Sequence, residues 1–431
     1  MISVAKTWDA RIRRLFPMPL NIVALTFFLL PGFFAGSVWA QKPDEMKGAV
    51  AEPADAPEVR KQIATVEKLQ ATFPDRAATL FFLAAMKQHL GETLDALKLL
   101  KECIALRAGF DPSGEPAFRA LKEAKEFTEM VETVHRDFPA VAHARVAFVS
   151  EEKDLVPEGL AYDAKRDVFY LGSLNRRKIV QIAEDGKISD FVPADRDHLL
   201  PVLGIRLDPA DGTVWVNCFA ERGAAELVHF DAAGMPLGRY ATKDEAKHGF
   251  NDLVVRKNGE VILTDSLSNQ VLRFDRKTGT FAPLALHRAI LYPNGIAIDD
   301  NEEQLFVADA LGIVRVSLAN GASADVNPGA HKTLAGFDGL YWYKGGLVGV
   351  QNGIGSARVA AFRLSNDGLS VKQAAILEYR SPLTTLPTTG ALRGSDFYFI
   401  ANSQIDNMNN DKVLDATRLE RVRIATVHLP W

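Results

Sequence analysis

The sequence predicts a mainly β protein, a six-bladed β-propeller preceded by a small all-α helical-repeat domain. From residue 144 to the C terminus, short apolar strands alternate with Gly- and Asp-containing turns. This pattern returns about every 45 residues, a length typical of a propeller blade. Residues 58–137 show helical periodicity instead, with few β-branched runs. A chain of 431 residues, 47% hydrophobic and 24% charged, is long enough for two folded units.

Residues 1–40 have the composition of an export signal. Basic residues precede an apolar run over residues 20–35, and small residues at 37–40 suit a signal peptidase; the basic residues are Lys6, Arg11, Arg13 and Arg14. We therefore expect a signal peptide cleaved after Ala40, and a periplasmic or secreted protein with no stable membrane span after cleavage. The paired arginines also fit a twin-arginine signal, so both export routes stay open. An uncleaved membrane anchor is the alternative, which Pro31 disfavours.

Charge and cysteine content narrow the function classes. A formal net charge of −4 gives no electrostatic reason to expect a nucleic acid partner. The two cysteines, Cys103 and Cys218, fall in different predicted domains, so we expect two buried free thiols and not a disulfide. The sequence has no cluster of Cys and His with the spacing of a zinc site.

The predicted helical domain follows a polar linker over residues 41–57 and covers residues 58–137. Small and large apolar residues over 77–85 and 96–100 are placed as in two interlocking antiparallel helices, and this pair resembles a tetratricopeptide helical pair. A further helix is expected to begin at Pro116. Because such arrays need about three repeats to be stable alone, we expect the domain to dock against the propeller. Its expected function is a structural cap, and the alternative is binding of a protein partner.

Six copies of the blade pattern follow, with first strands near Gly159, Gly204, Asp252, Gly295, Gly339 and Gly390. Second strands come soon after the first, as in residues 168–172 and 261–265, and turns containing Asp or Gly end the third strands. Residues 144–149 form a free β segment ahead of the first blade. We expect this segment to supply the outer strand of the last blade, because such closure removes exposed sheet edges.

The first strand of every blade lines the central channel, so residues at the same position of each repeat converge near its axis. At this opening position the sequence has Glu158, Leu203, Asn251, Asn294, Asp338 and Thr389. Four of these carry carboxylate or carboxamide oxygens, and an all-oxygen set with two negative charges suits calcium or another hard divalent cation. Turn formation is the alternative for each residue alone. Four such residues at one position of a repeat favour a joint site at the channel mouth.

The motifs around these residues resemble one family in their order and spacing. They are Pro157-Glu158-Gly159, Phe250-Asn251-Asp252, Pro293-Asn294-Gly295, Phe337-Asp338-Gly339-Leu340 and Thr388-Thr389-Gly390. Their succession resembles the senescence marker protein, gluconolactonase and luciferin-regenerating enzyme family, and more distantly the paraoxonases and strictosidine synthases. The resemblance implies that one divalent cation is bound by Glu158, Asn294 and Asp338, with Asn251 beside it in contact with metal or substrate. It also implies lactone hydrolysis, in which the cation polarises the ester carbonyl and Asp338 helps to activate a water molecule.

One position departs from the family pattern. Sugar-lactonase members carry an Arg two residues before the Asn of the third blade, where this chain has Gly249. That Arg binds sugar hydroxyls in the family, so a less polar lactone or ester is as good a candidate substrate as a sugar. His248 is the candidate replacement as a polar substrate contact, with a structural role as its alternative. Asp265 and Asp309 end second strands, where we expect them to close turns.

The sequence has neither a Gly-x-Ser-x-Gly elbow near a strand end nor a nucleotide-binding glycine loop, so we expect any catalysis to depend on the metal. The leading interpretation is an exported, calcium-type lactonase or esterase-like hydrolase that acts on a small lactone or ester. Its main alternative is a non-catalytic propeller that serves, with the helical domain, as an interaction scaffold. A condensing enzyme of the strictosidine synthase type ranks last, because no feature indicates an amine substrate.

Overall fold

The computed structural model describes residues 53, 55–194, 196–220, 223–409 and 411–431. The predicted signal peptide and nearly all of the predicted linker lie outside these residues. Among the helices that are described, none combines the length and the hydrophobicity needed to cross a membrane.

Residues 56–137 form the helical unit. It contains α1 (Ala56–Gln70), α2 (Arg76–His89), α3 (Thr93–Ala105) and α4 (Lys125–Asp137), with two 3-10 helices, Pro112–Gly114 and Pro116–Leu121, between α3 and α4. The predicted helical pair is α2 and α3, which pack together across a turn at Gly91, where φ is +76°. The further helix expected at Pro116 is a short 3-10 helix. Pro112 and Pro116 each lack an amide hydrogen, so a continuous α-helix cannot run through this segment.

The strands begin at residue 141, and every blade is a four-stranded antiparallel sheet. β1 (Val141–Ala142) and β2 (Arg145–Ser150) come first. Blade 1 is β3 (Pro157–Asp163), β4 (Val168–Ser173), β5 (Ile179–Ala183) and β6 (Ile188–Val192); blade 2 is β7 (Val202–Leu207), β8 (Val214–Ala220), β9 (Ala224–Phe230) and β10 (Pro236–Tyr240); blade 3 is β11 (Phe250–Val255), β12 (Val261–Asp265), β13 (Gln270–Asp275) and β14 (Thr280–Pro283). Blade 4 is β15 (Ile296–Ile298), β16 (Gln304–Ala308), β17 (Ile313–Ser317) and β18 (Ser323–Asp325); blade 5 is β19 (Phe337–Tyr343), β20 (Gly346–Gln351), β21 (Arg358–Leu364) and β22 (Val371–Tyr379).

Blade 6 closes the ring by combining both ends of the propeller. Its strand order is β2, β27 (Val422–His428), β24 (Asp396–Ile400) and β23 (Gly390–Arg393), with β2 on the outside. The expectation that the segment before the first blade completes the last one is confirmed, because β2 pairs antiparallel with β27. A short hairpin of β25 (Met408–Asn409) and β26 (Lys412–Val413) precedes β27, and β1 adds an edge strand to blade 5.

Apolar clusters between neighbouring blades hold the ring together. Six such clusters join blade 1 to 2, 2 to 3, 3 to 4, 4 to 5, 5 to 6 and 6 to 1. Trp215, for example, is fully buried between blades 2 and 3. Cys218 lies in the cluster between blades 1 and 2, and Cys103 lies in the helical unit. Both are free thiols, as predicted.

The helical unit docks on one face of the propeller. Asp111 is the main polar anchor, since its backbone N–H donates to the Ile354 carbonyl at 3.0 Å and its Oδ2 accepts from Ser356 Oγ at 2.8 Å and from the Tyr379 hydroxyl at 3.1 Å. Asp75 caps α2 through Oδ1, which accepts from the Ala78 amide, while its Oδ2 accepts from a propeller amide. A continuous apolar cluster joins the two parts. The structure therefore agrees with the expected docking.

Candidate functional site

The opening residues form a closed ring because neighbouring first strands approach very closely. A Cβ placed on Gly159 would overlap the carbonyl of Leu203, and one on Gly295 would overlap the carbonyl of Asp338. Neither glycine has a positive φ, so close approach and not turn geometry requires it. The Thr389 hydroxyl donates to the Glu158 carbonyl and thereby joins blade 6 to blade 1. The channel-lining position predicted from the repeat is therefore a real ring of neighbouring residues.

Glu158, Asn294 and Asp338, the three predicted metal ligands, are buried in this ring with exposures of 1%, 2% and 0%. Each has one side-chain oxygen that accepts no hydrogen bond from any described residue: Glu158 Oε1, Asn294 Oδ1 and Asp338 Oδ1. A buried polar atom without a partner costs about 1–3 kcal/mol. Three such oxygens in one ring are the feature expected of ligands for a cation.

The other carboxylate oxygens of the pair are held by hydrogen bonds. Asn352 Nδ2 donates to Asp338 Oδ2 at 2.6 Å and also to the Pro387 carbonyl at 3.1 Å. Glu158 Oε2 accepts from Ser403 Oγ at 3.4 Å. Each carboxyl group is thus held through one oxygen, and the Thr388 and Asn294 side chains also lie close enough to lower the pKa values of Glu158 and Asp338.

Burial and mutual repulsion disfavour ionisation of the two carboxyl groups. Burial raises the pKa of Glu158 well above its usual value, and the Asp338 and Asp252 carboxylates raise it further. Burial also raises the pKa of Asp338, although the Asn352 and Asn294 amides beside it partly offset the effect. A divalent cation between the groups would supply the positive charge that their ionised forms need.

Asn251 lies in the same ring, as predicted. It is buried, and its Nδ2 donates to Ser266 Oγ at 3.1 Å, while that hydroxyl donates to the Pro293 carbonyl at 2.7 Å. Tyr292, which leads into the Asn294 strand, lies close enough for the Asp338 and Glu158 carboxylates to raise its phenol pKa beyond the effect of burial. Tyr292 therefore lies near the two carboxyl groups, and Ser266 joins Asn251 to the segment that leads into Asn294.

His248 is placed differently from Asn251. Its Nδ1 lies 2.5 Å from Asp265 Oδ2, and its Nε2 lies 2.7 Å from Asp244 Oδ1. Burial lowers the pKa of His248, but the hydrogen bonds to Asp244 and Asp265 outweigh this effect and leave the pKa above its usual value. With both ring nitrogens bonded to carboxylates, the geometry favours the structural alternative for His248 over a substrate contact. Asp265 also accepts from the Gly249 amide, which agrees with its expected structural role.

A buried ion pair lies farther along the channel. Arg206 NH2 donates to Asp252 Oδ2 at 2.8 Å, and its guanidinium lies 4.8 Å from the centre of the Tyr341 ring. The Tyr341 hydroxyl accepts from the Gly390 amide at 2.8 Å. These three residues come from blades 2, 3 and 5 and lie one to three positions after the opening residues of their strands.

Asn352 and Asn217 are the residues that sequence reasoning missed. Each has a buried side-chain oxygen that lacks a hydrogen-bond partner within the described part of the chain. Asn217 Nδ2 donates to the Asp252 carbonyl at 3.1 Å, next to the opening position of blade 3. Asn352 directly follows β20, whereas Asn217 lies in the middle of β8. Comparing the positions that follow second strands across the blades would have found Asn352.

The fold is that of a six-bladed β-propeller, and the solved structures similar to this chain include several enzymes. Virginiamycin B lyase from Staphylococcus aureus is 16% identical, with a TM-score of 0.46, over 66% of this chain and 99% of that one. A gluconolactonase from Xanthomonas campestris is 18% identical, with a TM-score of 0.46, over 68% and 91%. A luciferin-regenerating enzyme is 13% identical, with a TM-score of 0.45, over 65% and 94%.

The sequence comparisons found no relatives. No protein-family profile matches the chain, and a search of curated proteins found no match. The likeness to gluconolactonase and luciferin-regenerating enzyme propellers is thus one of structure at low identity. The proposed likeness of the helical unit to tetratricopeptide repeats finds no support in these comparisons.

Proposed function

We propose that this protein is a metal-dependent lactonase or esterase-like hydrolase with one divalent cation at the channel mouth. The observation that carries the proposal is the set of three buried oxygens, from Glu158, Asn294 and Asp338, that have no hydrogen-bond partner in the described chain. They come from blades 1, 4 and 5, and the close approach of neighbouring first strands supports a shared site at one end of the channel.

The donor set fits calcium best. Two carboxylates and one carboxamide supply only hard oxygen ligands, and the set includes no thiolate or imidazole. Calcium accepts irregular sets of six to eight oxygens, whereas magnesium requires a near-octahedral arrangement.

In the proposed hydrolysis, each residue of the site has a different role. A bound cation would polarise the ester carbonyl. Asp338 accepts the proton of the water that attacks the carbonyl carbon, and it returns this proton to the alkoxide oxygen released when the C–O bond of the ester breaks. Asn352 orients Asp338 through its 2.6 Å hydrogen bond. Asn251, whose Nδ2 donates to Ser266, would orient the substrate.

An activity assay on the full chain tests this proposal. Purified protein is assayed against a panel of lactones and esters with calcium, with a chelator, and with calcium added back. We expect chelation to abolish hydrolysis and calcium to restore it, and we expect Asp338→Asn to lower kcat by about 10²–10⁴. Asp300→Asn, at an exposed turn, is the matched control and should keep full activity.

Chelator-resistant hydrolysis, or full activity in Asp338→Asn, would remove the proposal. If calcium binds but no lactone or ester is hydrolysed, the cation site stands and the hydrolase assignment is wrong. The rival scaffold function predicts neither calcium binding nor hydrolysis, together with binding of a protein partner that survives Asp338→Asn.

We also propose a periplasmic or secreted location. This proposal rests on the basic, apolar and small-residue segments of residues 1–40. The N-terminal sequence of the protein from its native host tests it. Cleavage after Ala40 predicts a mature chain that begins at Gln41, and a chain that retains residues 1–40 would contradict it.

A further inference from the structure

The helical unit packs on the segments that lead into the ring of opening residues. Four residues lie two or three positions before ring residues, and all four belong to or pack against the apolar cluster built around the helical unit. They are Val156, Tyr292, Ala335 and Leu386. Neighbours that face the blade interiors belong to other clusters, as Leu155 and Leu334 do. The helical unit therefore lies over the end of the channel that carries Glu158 and Asp338.

Leu203 is the opening residue of blade 2, and it belongs to the same cluster. Val202 and Ile205, on the same strand, face the core between blades 1 and 2. Leu203 instead joins the cluster of Phe81, Phe110 and other helical-unit side chains. One of the six ring positions therefore presents hydrocarbon, and this hydrocarbon is continuous with the helical unit.

The buried ring residues lie on the side of the propeller where the helical unit docks. Beyond the ring, Arg206 pairs with Asp252 and stacks on Tyr341, and the Arg206 side chain is 18% exposed. A ligand that reaches Asp338 from the side of the helical unit therefore meets the apolar residues of this cluster.

We propose that the helical unit and Leu203 form an apolar roof over the site, and that this roof selects lactones or esters whose non-reacting part is hydrocarbon. We define the roof as the helical unit with Val156, Leu203, Ala335 and Leu386. This inference rests on the proposed function, and it names the substrate class of that same site.

The chemistry of the roof disfavours polyhydroxylated substrates. A sugar hydroxyl pressed against hydrocarbon loses its hydrogen bonds to water and gains none in return, which costs about 1–3 kcal/mol for each hydroxyl. Position 249, beside the ring, has no room for a polar side chain, because a Cβ there would lie 2.8 Å from Leu267 Cγ. An alkyl substituent meets the roof without this penalty.

Kinetics of the calcium-loaded full chain test the inference. kcat/KM is measured for γ-lactones with alkyl chains of increasing length and for a hydroxylated five-membered aldonolactone. We expect kcat/KM to rise about threefold to fourfold for each of the first few methylenes, and the aldonolactone to be the poorest substrate. A flat series, or preference for the aldonolactone, would overturn the inference.

Two substitutions at one position test the part played by Leu203. Leu203→Met keeps hydrocarbon of similar volume and should preserve the dependence on chain length. Leu203→Asn places an amide in the roof and should flatten the series and lower kcat/KM for the longest chain at least tenfold. An unchanged series in Leu203→Asn would contradict the inference, and the wild-type series decides the question alone if this variant does not fold.

Binding of lactams separates failure of the inference from failure of the proposed function. Lactams have the ring shape of the lactones but resist hydrolysis, so calorimetry measures their binding directly. Tighter binding of alkyl lactams than of hydroxylated lactams, with a negative heat-capacity change, supports the roof even if no lactone is hydrolysed. Equal or reversed affinities refute the roof even if lactones are hydrolysed.

Discussion

Glu158 and Asp338 are two buried carboxyl groups from blades 1 and 5 that lie close enough to repel each other. Burial raises the pKa of Glu158, and the Asp338 carboxylate raises it further. Each group also has one oxygen without a hydrogen-bond partner in the described residues. Such a pair is costly to bury in either protonation state, because the neutral groups lack partners and the charged groups repel. A cation between them removes both costs.

Calcium binding should release protons. Because the pKa values of Glu158 and Asp338 are both raised, protons compete with the cation over a higher pH range than for ordinary carboxylates, and calcium affinity rises with pH. Calorimetric titrations in two buffers of different ionisation enthalpy measure the number of protons released. We expect release in wild type and less release in Glu158→Gln. Equal binding enthalpies in both buffers would count against the assignment of these carboxyls as ligands.

Asn352 should act as a positioning residue for Asp338. Its Nδ2 donates to Asp338 Oδ2, so Asn352→Leu, of similar volume, removes the bond that orients the carboxylate. We expect kcat to fall about 10–100-fold, with a shifted pH profile, while calcium still binds. Asn301→Leu, at an exposed turn in blade 4, serves as the control. A pH profile identical to wild type in Asn352→Leu would assign Asn352 a purely structural role.

Glu115 should make the stability of the helical unit depend on pH. Burial raises its pKa from 4.5 to about 7, so the folded state holds the proton more tightly than the unfolded state. Stability from this group is complete below pH 4.5 and is lost as the pH rises toward 7. Above pH 7, the free energy of unfolding of Glu115→Gln should therefore exceed that of wild type by roughly 1–3 kcal/mol, as measured by denaturant titration. Below pH 4.5 the two proteins should differ little. Exposed Glu123→Gln is the control, and a gain that does not vary with pH would contradict this prediction.

Asp111 should hold the helical unit on the propeller. Asp111→Ala leaves the buried Tyr379 hydroxyl without its acceptor and removes bonds to Ser356 and His135, so we expect a loss of about 2–4 kcal/mol. Hydrogen exchange should then accelerate in α1 to α4, while the inner strands of the blades keep their protection. Asp95→Ala, on the exposed side of α3, is the matched control. Uniform acceleration over the whole chain would instead indicate global unfolding.

Much of the fold was predictable because the blade repeat consists of local strand and turn patterns. Alternating strands, turn residues and the free segment before blade 1 predicted six blades and the closure through β2. The repeat also predicted the ring of opening residues, since position within a repeat determines distance from the axis. The helical pair was visible for the same reason, because its periodicity is local.

The features that could not be predicted depend on contacts between segments that are distant in the sequence. His248 was a candidate polar substrate contact with a structural role as its alternative, and its two carboxylate partners, Asp244 and Asp265, became apparent only in three dimensions. Asn352 follows a second strand and gave no motif of its own, although it bonds Asp338. The contribution of Leu203 to the roof depends on a helical unit whose docking position no local pattern fixes.

The most direct test is the calcium content of the purified full chain beside Glu158→Gln and Asp338→Asn. Elemental analysis and calcium titration should give one tightly bound ion per wild-type chain, with affinity at least 10²-fold weaker in each variant because a charged ligand is lost. Asp300→Asn, at an exposed turn away from the ring, should bind calcium as wild type does. A wild-type chain that binds no divalent cation, or variants that bind it unchanged, would contradict the account.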